Sequence, residues 1–141
     1  MALSFNNYGK RDAICQAVNN RFQSTTRFIR VYPDTVPFPS STPTDTSALP
    51  AGEILTFTNT HFTLSRSGNA IIFTAGTLVA NTTAAGTLSW FALFNATGTN
   101  QPGIISDAVS LSGGNGGILI VSTLTPGNGD PVTISLNLTA A

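Results

Sequence analysis

The chain has 141 residues, the length of one domain able to bury a core without staples. Only 9% of residues are charged, the formal net charge is zero and 41% are hydrophobic. About a quarter of an ordinary globular domain is charged, so this composition excludes a disordered polyelectrolyte and predicts a β-rich domain whose surface is poorly guarded against association.

Residues 8–22 predict an amphipathic helix, because Ile14, Val18 and Phe22 recur at helical spacing with Ala17 beside them, and Asn6 or Asn7 can cap it. Cys15 lies near that stripe and reads as packing; as the one cysteine it excludes an internal disulfide. The N-terminus lacks the apolar core of a signal peptide, and no run approaches the roughly 18 apolar residues of a spanning helix. The chain is therefore expected to be made in a cytoplasm, with no membrane partner.

"RFIRVY" (27–32) predicts a strand with Phe28, Arg30 and Tyr32 on one face and Ile29 and Val31 on the other. Residues 33–50, "PDTVPFPSSTPTDTSALP", hold five prolines, which removes them from any helix or central strand. A connection of this length reads as a functional arm, with Pro37, Phe38 and Pro39 as candidate contact residues and folding indifferent to its replacement. Strands are then expected at 52–65, 70–80, 86–95, 103–111, 117–124 and 132–140, separated by Gly-, Asn- and Pro-rich turns. Several short strands at regular spacing predict an antiparallel β-sandwich, immunoglobulin-like or jelly-roll-like, over 27–141. Residues 1–26 form a helix or arm packed on it.

The strand in "GTLSWFALFNATG" (86–98) poses a packing problem. Strict alternation puts Leu88, Trp90, Ala92 and Phe94 on one face and Ser89, Phe91, Leu93 and Asn95 on the other. Both faces are largely apolar. The opposite sheet can cover one; the N-terminal helix or a neighbouring subunit is expected to cover the other.

Chemistry-bearing residues are sparse. His61, Cys15 and six scattered carboxylates offer no ligand-like spacing, so no catalytic residue, metal or cofactor is expected. "SGGNGG" (112–117) is followed by neither Lys nor a helix and reads as a turn. "DTSA" (45–48) lacks the twin that a carboxylate dyad requires. The Asn81, Asn95 and Asn137 triplets reflect abundant threonine. The aromatics Phe57, Phe62, Phe73, Trp90, Phe91 and Phe94 read as core rather than as a sugar-stacking platform. Charge is polarised. Residues 1–30 carry five basic groups against one acid, net +4, and the remainder carries Arg66 against five acids, net −4. Lys10, Arg11 and Arg21 are candidate contacts to an acidic protein surface; no nucleic-acid partner is expected.

Phe28–Pro33, Ala85–Phe91, Gly113–Leu119 and Gly129–Thr139 follow in an order that resembles a diffuse group of small tailed-phage virion proteins. Those proteins have a short N-terminal helix, an "L-R-I-Y-x-G-x-x-P" element, an "A-x-G-T-x-x-W/F" element, a Gly-rich turn and a closing "G-x-x-V-T-I". This chain departs in having Asp34 where Gly is common and a longer loop after Tyr32. The resemblance implies a non-enzymatic virion component. The expectation is a capsid decoration or cement protein docked on the major capsid protein, with a tail, neck or baseplate component as the alternative. A carbohydrate-binding module is the alternative from another class. A homo-oligomer, with a trimer favoured, is expected from the low charge and the two-faced strand.

Overall fold

A computed structural model describes residues 13, 16, 17, 20, 28–40, 48–58, 64–67, 70–73, 78–95, 103–111 and 119–139; for 64–67, 70–73 and 137–139 the backbone alone is described. The helix expected over 8–22 lies outside these residues except for Ala13, Gln16, Ala17 and Asn20, which have helical backbone and are exposed. The strands are β1 (Phe28–Pro33), β2 (Leu55–Thr58), β3 (Leu64–Ser67), β4 (Ala70–Phe73), β5 (Leu78–Asn81), β6 (Leu88–Phe94), β7 (Gly103–Ser106), β8 (Val109–Leu111), β9 (Leu119–Val121) and β10 (Pro131–Thr139).

Two sheets pack face to face. The first runs β2-β1-β6-β7, antiparallel throughout. The second runs β3-β4-β10-β9-β8, with β5 also paired to β10. Between them lies the main core. Ile29, Val31, Leu55, Phe57, Leu88, Phe91 and Leu93 from the first sheet meet Leu78, Leu119, Val121, Val132, Ile134 and Leu136 from the second. Alternation produces this core directly. In β10, Val132, Ile134 and Leu136 are buried while Pro131, Thr133 and Ser135 are exposed; in β2, Leu55 and Phe57 are buried while Thr56 and Thr58 are exposed.

Several expected strands prove to be two. The strand expected at 52–65 divides into β2 and β3, which lie in different sheets. The one expected at 103–111 also crosses between sheets, turning at Asp107 and Ala108. There the N–H of Ala108 donates to Ser106 Oγ (3.0 Å) and the N–H of Val109 to the Asp107 carbonyl (2.9 Å). The strand expected at 70–80 divides into β4 and β5, both antiparallel partners of β10. Ile134 faces Leu78 and Asn137 faces Ile72, so between the two pairings the chain advances six positions from β4 to β5 but only three along β10. One pair, β8 with β9, is parallel, which corrects the wholly antiparallel expectation. The turn expected at 126–131 closes with the N–H of Asp130 on the Gly127 carbonyl (3.3 Å), with Gly129 at φ +82°. Asp130 Oδ2 accepts from the Gly127 N–H (2.7 Å), and the buried Thr82 hydroxyl donates to the Gly127 carbonyl, tying this turn to the end of β5.

Strand β6 also departs from strict alternation. Tyr32 pairs with Trp90 but Pro33 pairs with Leu88, leaving Ser89 as the extra residue of a bulge. The bulge moves Leu88 off the Trp90 face and into the inter-sheet core beside Phe91 and Leu93. Trp90, Ala92 and Phe94 remain on the outer face and join Phe28 and Tyr32 of β1 in a second apolar cluster.

Candidate interaction surface

The outer face of the first sheet is aromatic along β1 and β6, and these rings are covered. Tyr32, Trp90 and Phe94 have no exposure, and Phe28 has 6%. Tyr32 and Trp90 stack with centroids 3.9 Å apart and planes 8° from parallel; Phe28 and Phe94 stack at 6.0 Å. Each pair sits side by side on β1 and β6, where direct cross-strand neighbours are close enough for rings to meet.

Part of the cover comes from the described parts of the proline-rich segment, 34–40 and 48–50, which form a strap over the rings. After β1 the N–H of Asp34 donates to the Thr87 carbonyl (2.9 Å), and the N–H of Val36 closes a turn on the Pro33 carbonyl (3.1 Å). Trp90 Nε1 donates to the Val36 carbonyl (2.8 Å), and the Tyr32 hydroxyl donates to the Pro50 carbonyl (3.0 Å). Val36 and Leu49 pack on the aromatic cluster. The strap returns through Gly52, whose φ of +105° disfavours any side chain and whose place a Cβ would occupy only 2.9 Å from Val36 Cγ2. Proline suits these residues because a segment over a sheet face has no ladder to enter. The strap carries acceptors for two buried ring donors, so the expectation that folding is indifferent to its replacement is corrected.

The strap also presents a knob. Phe38 meets Trp90 edge-on, centroids 5.6 Å apart at 82°, yet stays 47% exposed. Pro37 beside it is exposed and Pro39 half-buried. Thus three of the expected contact residues, Pro37, Phe38 and Pro39, are consecutive, and Phe38 among them rests on Trp90. The other three, Lys10, Arg11 and Arg21, lie outside the described residues, as do His61, Asp45 and the 112–117 turn. At the rim Arg30 Nε lies 4.0 Å from Glu53 Oε1, and its guanidinium carbon is 4.9 Å from the centre of the Phe28 ring. Burial pushes the Tyr32 hydroxyl above its ordinary ionisation range, partly opposed by its contact with Arg30.

No family model, curated protein or solved structure matches the chain. What the site can do rests on its own geometry. Phe57, Trp90, Phe91 and Phe94 are buried core residues, as the sequence predicts, and none offers a ring face to a sugar. Among the described residues no cluster of His, Cys, Asp and Glu could hold a metal ion, and no helix is long and apolar enough to cross a membrane. A shallow depression on the outer face of the second sheet, lined by Ile120, Ser122, Thr133 and Ser135 among others, presents hydroxyls and methyls and no ionisable group. The exposed Phe38 ring thus stands on a domain in which only 9% of residues are charged.

Residue-type reasoning missed Val36, Leu49 and Pro50, the anchors of the strap. Two signals point to them: β6 has two apolar faces but only one opposing sheet, and Val36 and Leu49 stand as large aliphatic residues near the two ends of the proline-rich segment.

Proposed function

We propose that this chain is a non-enzymatic structural protein of a tailed-phage virion that decorates the capsid and docks on the assembled lattice of the major capsid protein. In this reading it has an immunoglobulin-like or jelly-roll-like sandwich and a short N-terminal helix. The observation that carries the proposal is the Phe38 knob. Its ring is held by a tryptophan that is itself fixed by a hydrogen bond to the same strap and by stacking on Tyr32. A side chain ordered before contact loses little entropy on docking, and aromatic anchors dominate the energy of protein interfaces. The resemblance of four sequence blocks to phage virion proteins supplies the class of partner. Many copies on a lattice act together, so modest affinity per copy suffices, and ligands that bind only the assembled state stabilise it.

The experiment adds purified protein to particles stripped of it. Wild type should co-sediment with the particles. Phe38→Ser, which removes the half-exposed knob and its edge contact with Trp90, should keep the fold with a loss of about 1–2 kcal/mol and fail to co-sediment. Equal binding by the two proteins would remove Phe38 from the contact. Binding by neither would reject the capsid-docking proposal.

A further inference from the structure

Among the described residues the first sheet ends at β7, a short strand that carries neither charge, proline nor bulge. Strand β7 is Gly103-Ile104-Ile105-Ser106, with no charge and no proline, and its pairing with β6 is regular. Exposed edges in natural proteins are normally blunted by Lys, Pro, bulges or a covering loop, because their free N–H and C=O groups recruit another strand. All four residues of β7 are half-buried. Ile104 packs against the inter-sheet core and Ile105 against the aromatic cluster, so both clusters reach this edge. Gly103 lies under the Phe94 ring, where a Cβ would come within 2.6 Å of Phe94 Cε1. The glycine is thus covered by the aromatic residue opposite it, a device that stabilises edge strands.

The hydrogen-bond parity of the sheet fixes which groups point outward. The Val31 carbonyl accepts from the Ile54 N–H on the β2 side (3.0 Å). N–H and C=O of one strand residue point the same way, so Val31 turns away from β6. Its partner Phe91 then turns away from β1 and bonds Ser106, and Leu93 likewise bonds Ile104. Gly103 and Ile105 are left with their N–H and C=O directed away from the sheet.

We propose that β7 pairs antiparallel with β7 of a second copy about a two-fold axis through Ile104, joining two four-stranded sheets into one of eight strands. The axis stands perpendicular to the sheet, so residues of the same face must meet. Centring on Ile104 sets Gly103 of each copy against Ile105 of the other, which uses every outward N–H and C=O of the strand in four hydrogen bonds. Ile104 meets its own copy on the core side. The acid next to the strand, Asp107, lies three residues from the axis and so does not meet its own copy, which leaves the neutral edge self-complementary without a like-charge contact. An edge with no charge code has little to select a foreign segment. A four-residue ladder is short of the roughly 1,000 Å² that a stable interface clears, so the dimer is weak and forms at high local concentration.

The test uses the full chain with Cys15→Ser as background. Ile104→Cys places two sulfurs on the axis, where directly opposed Cα atoms of a non-hydrogen-bonded pair lie about 4.5 Å apart, within disulfide range. Ile105→Cys places them two residues out of register, roughly 8 Å apart and beyond that range. Mild oxidation at high concentration should convert most of the Ile104→Cys protein to covalent dimer and leave the Ile105→Cys protein at background. Amide exchange of the unmodified protein reads the same contact without a substitution: Gly103 and Ile105 N–H should exchange at least tenfold more slowly at millimolar than at micromolar concentration. Equal cross-linking of both variants, concentration-independent exchange, or a trimer by sedimentation would each overturn the pairing.

Discussion

Replacing Trp90 by Phe tests whether the strap is part of the fold. The change keeps an apolar ring on β6 but removes the indole N–H and one fused ring. The N–H donates to the Val36 carbonyl at 2.8 Å, and a buried acceptor left without its donor costs about 1–3 kcal/mol. Val36 is half-buried, so water recovers part of this and the lower half of the range applies. The smaller ring also weakens a stack at 3.9 Å and an edge contact at 5.6 Å, each worth about 0.5–1.5 kcal/mol beyond area. The combined loss is about 2–3 kcal/mol. A chain of this length loses roughly 3–5 °C per kcal/mol, so Tm should fall by about 6–15 °C in a far-UV circular dichroism melt. The strap should open more often than the rest of the domain, because its tether and not the sheet is weakened. Limited proteolysis should therefore cut within residues 34–40 before the sandwich unfolds. An unchanged Tm together with an uncut strap would refute the assignment of Val36 and Trp90 as a lock.

Three further outcomes follow from the same geometry. Tyr32→Phe removes the bond to the Pro50 carbonyl and should cost about 1 kcal/mol by chemical denaturation. Because burial raises the Tyr32 ionisation point in the folded state, its contribution is complete below the unfolded value near pH 10 and fades as pH rises through the folded value; Tyr32→Phe should flatten that alkaline loss. Gly103→Ala forces a Cβ into the Phe94 ring and should cost about 1–3 kcal/mol, with the double variant Gly103→Ala, Phe94→Leu losing less than the two single changes summed; strict additivity in a melt would contradict the contact. Thr82→Val leaves the Gly127 carbonyl without its hydroxyl donor and should lower stability by about 1–2 kcal/mol, measured as a shift in denaturant midpoint with unchanged slope.

Local rules read the strands well where one face is solvated and one is core. The Phe28-Arg30-Tyr32 and Ile29-Val31 faces of β1, and the inward Val132, Ile134 and Leu136 of β10, follow from a period of two. That period is silent on which sheet a strand joins. The crossings between β2 and β3 and between β7 and β8 carry neither proline nor glycine to announce them. The bulge at Ser89 shifts Leu88 to the other face without a glycine to announce it. At the candidate site Phe38 was legible as a large aromatic between prolines. Its anchoring was not, because the Val36 and Pro50 carbonyls belong to the backbone and every sequence has them. Only the shortage of cover for β6 hinted that something must return over Trp90.

The proposed role is to decorate a capsid and hold its lattice together. Particles with and without the protein, heated in parallel and followed by DNA release, test it most directly. Particles lacking the chain should release DNA at a lower temperature, and added wild type, but not Phe38→Ser, should restore the higher release temperature. Equal release temperatures, with the chain recovered only from purified tails, would contradict the claim.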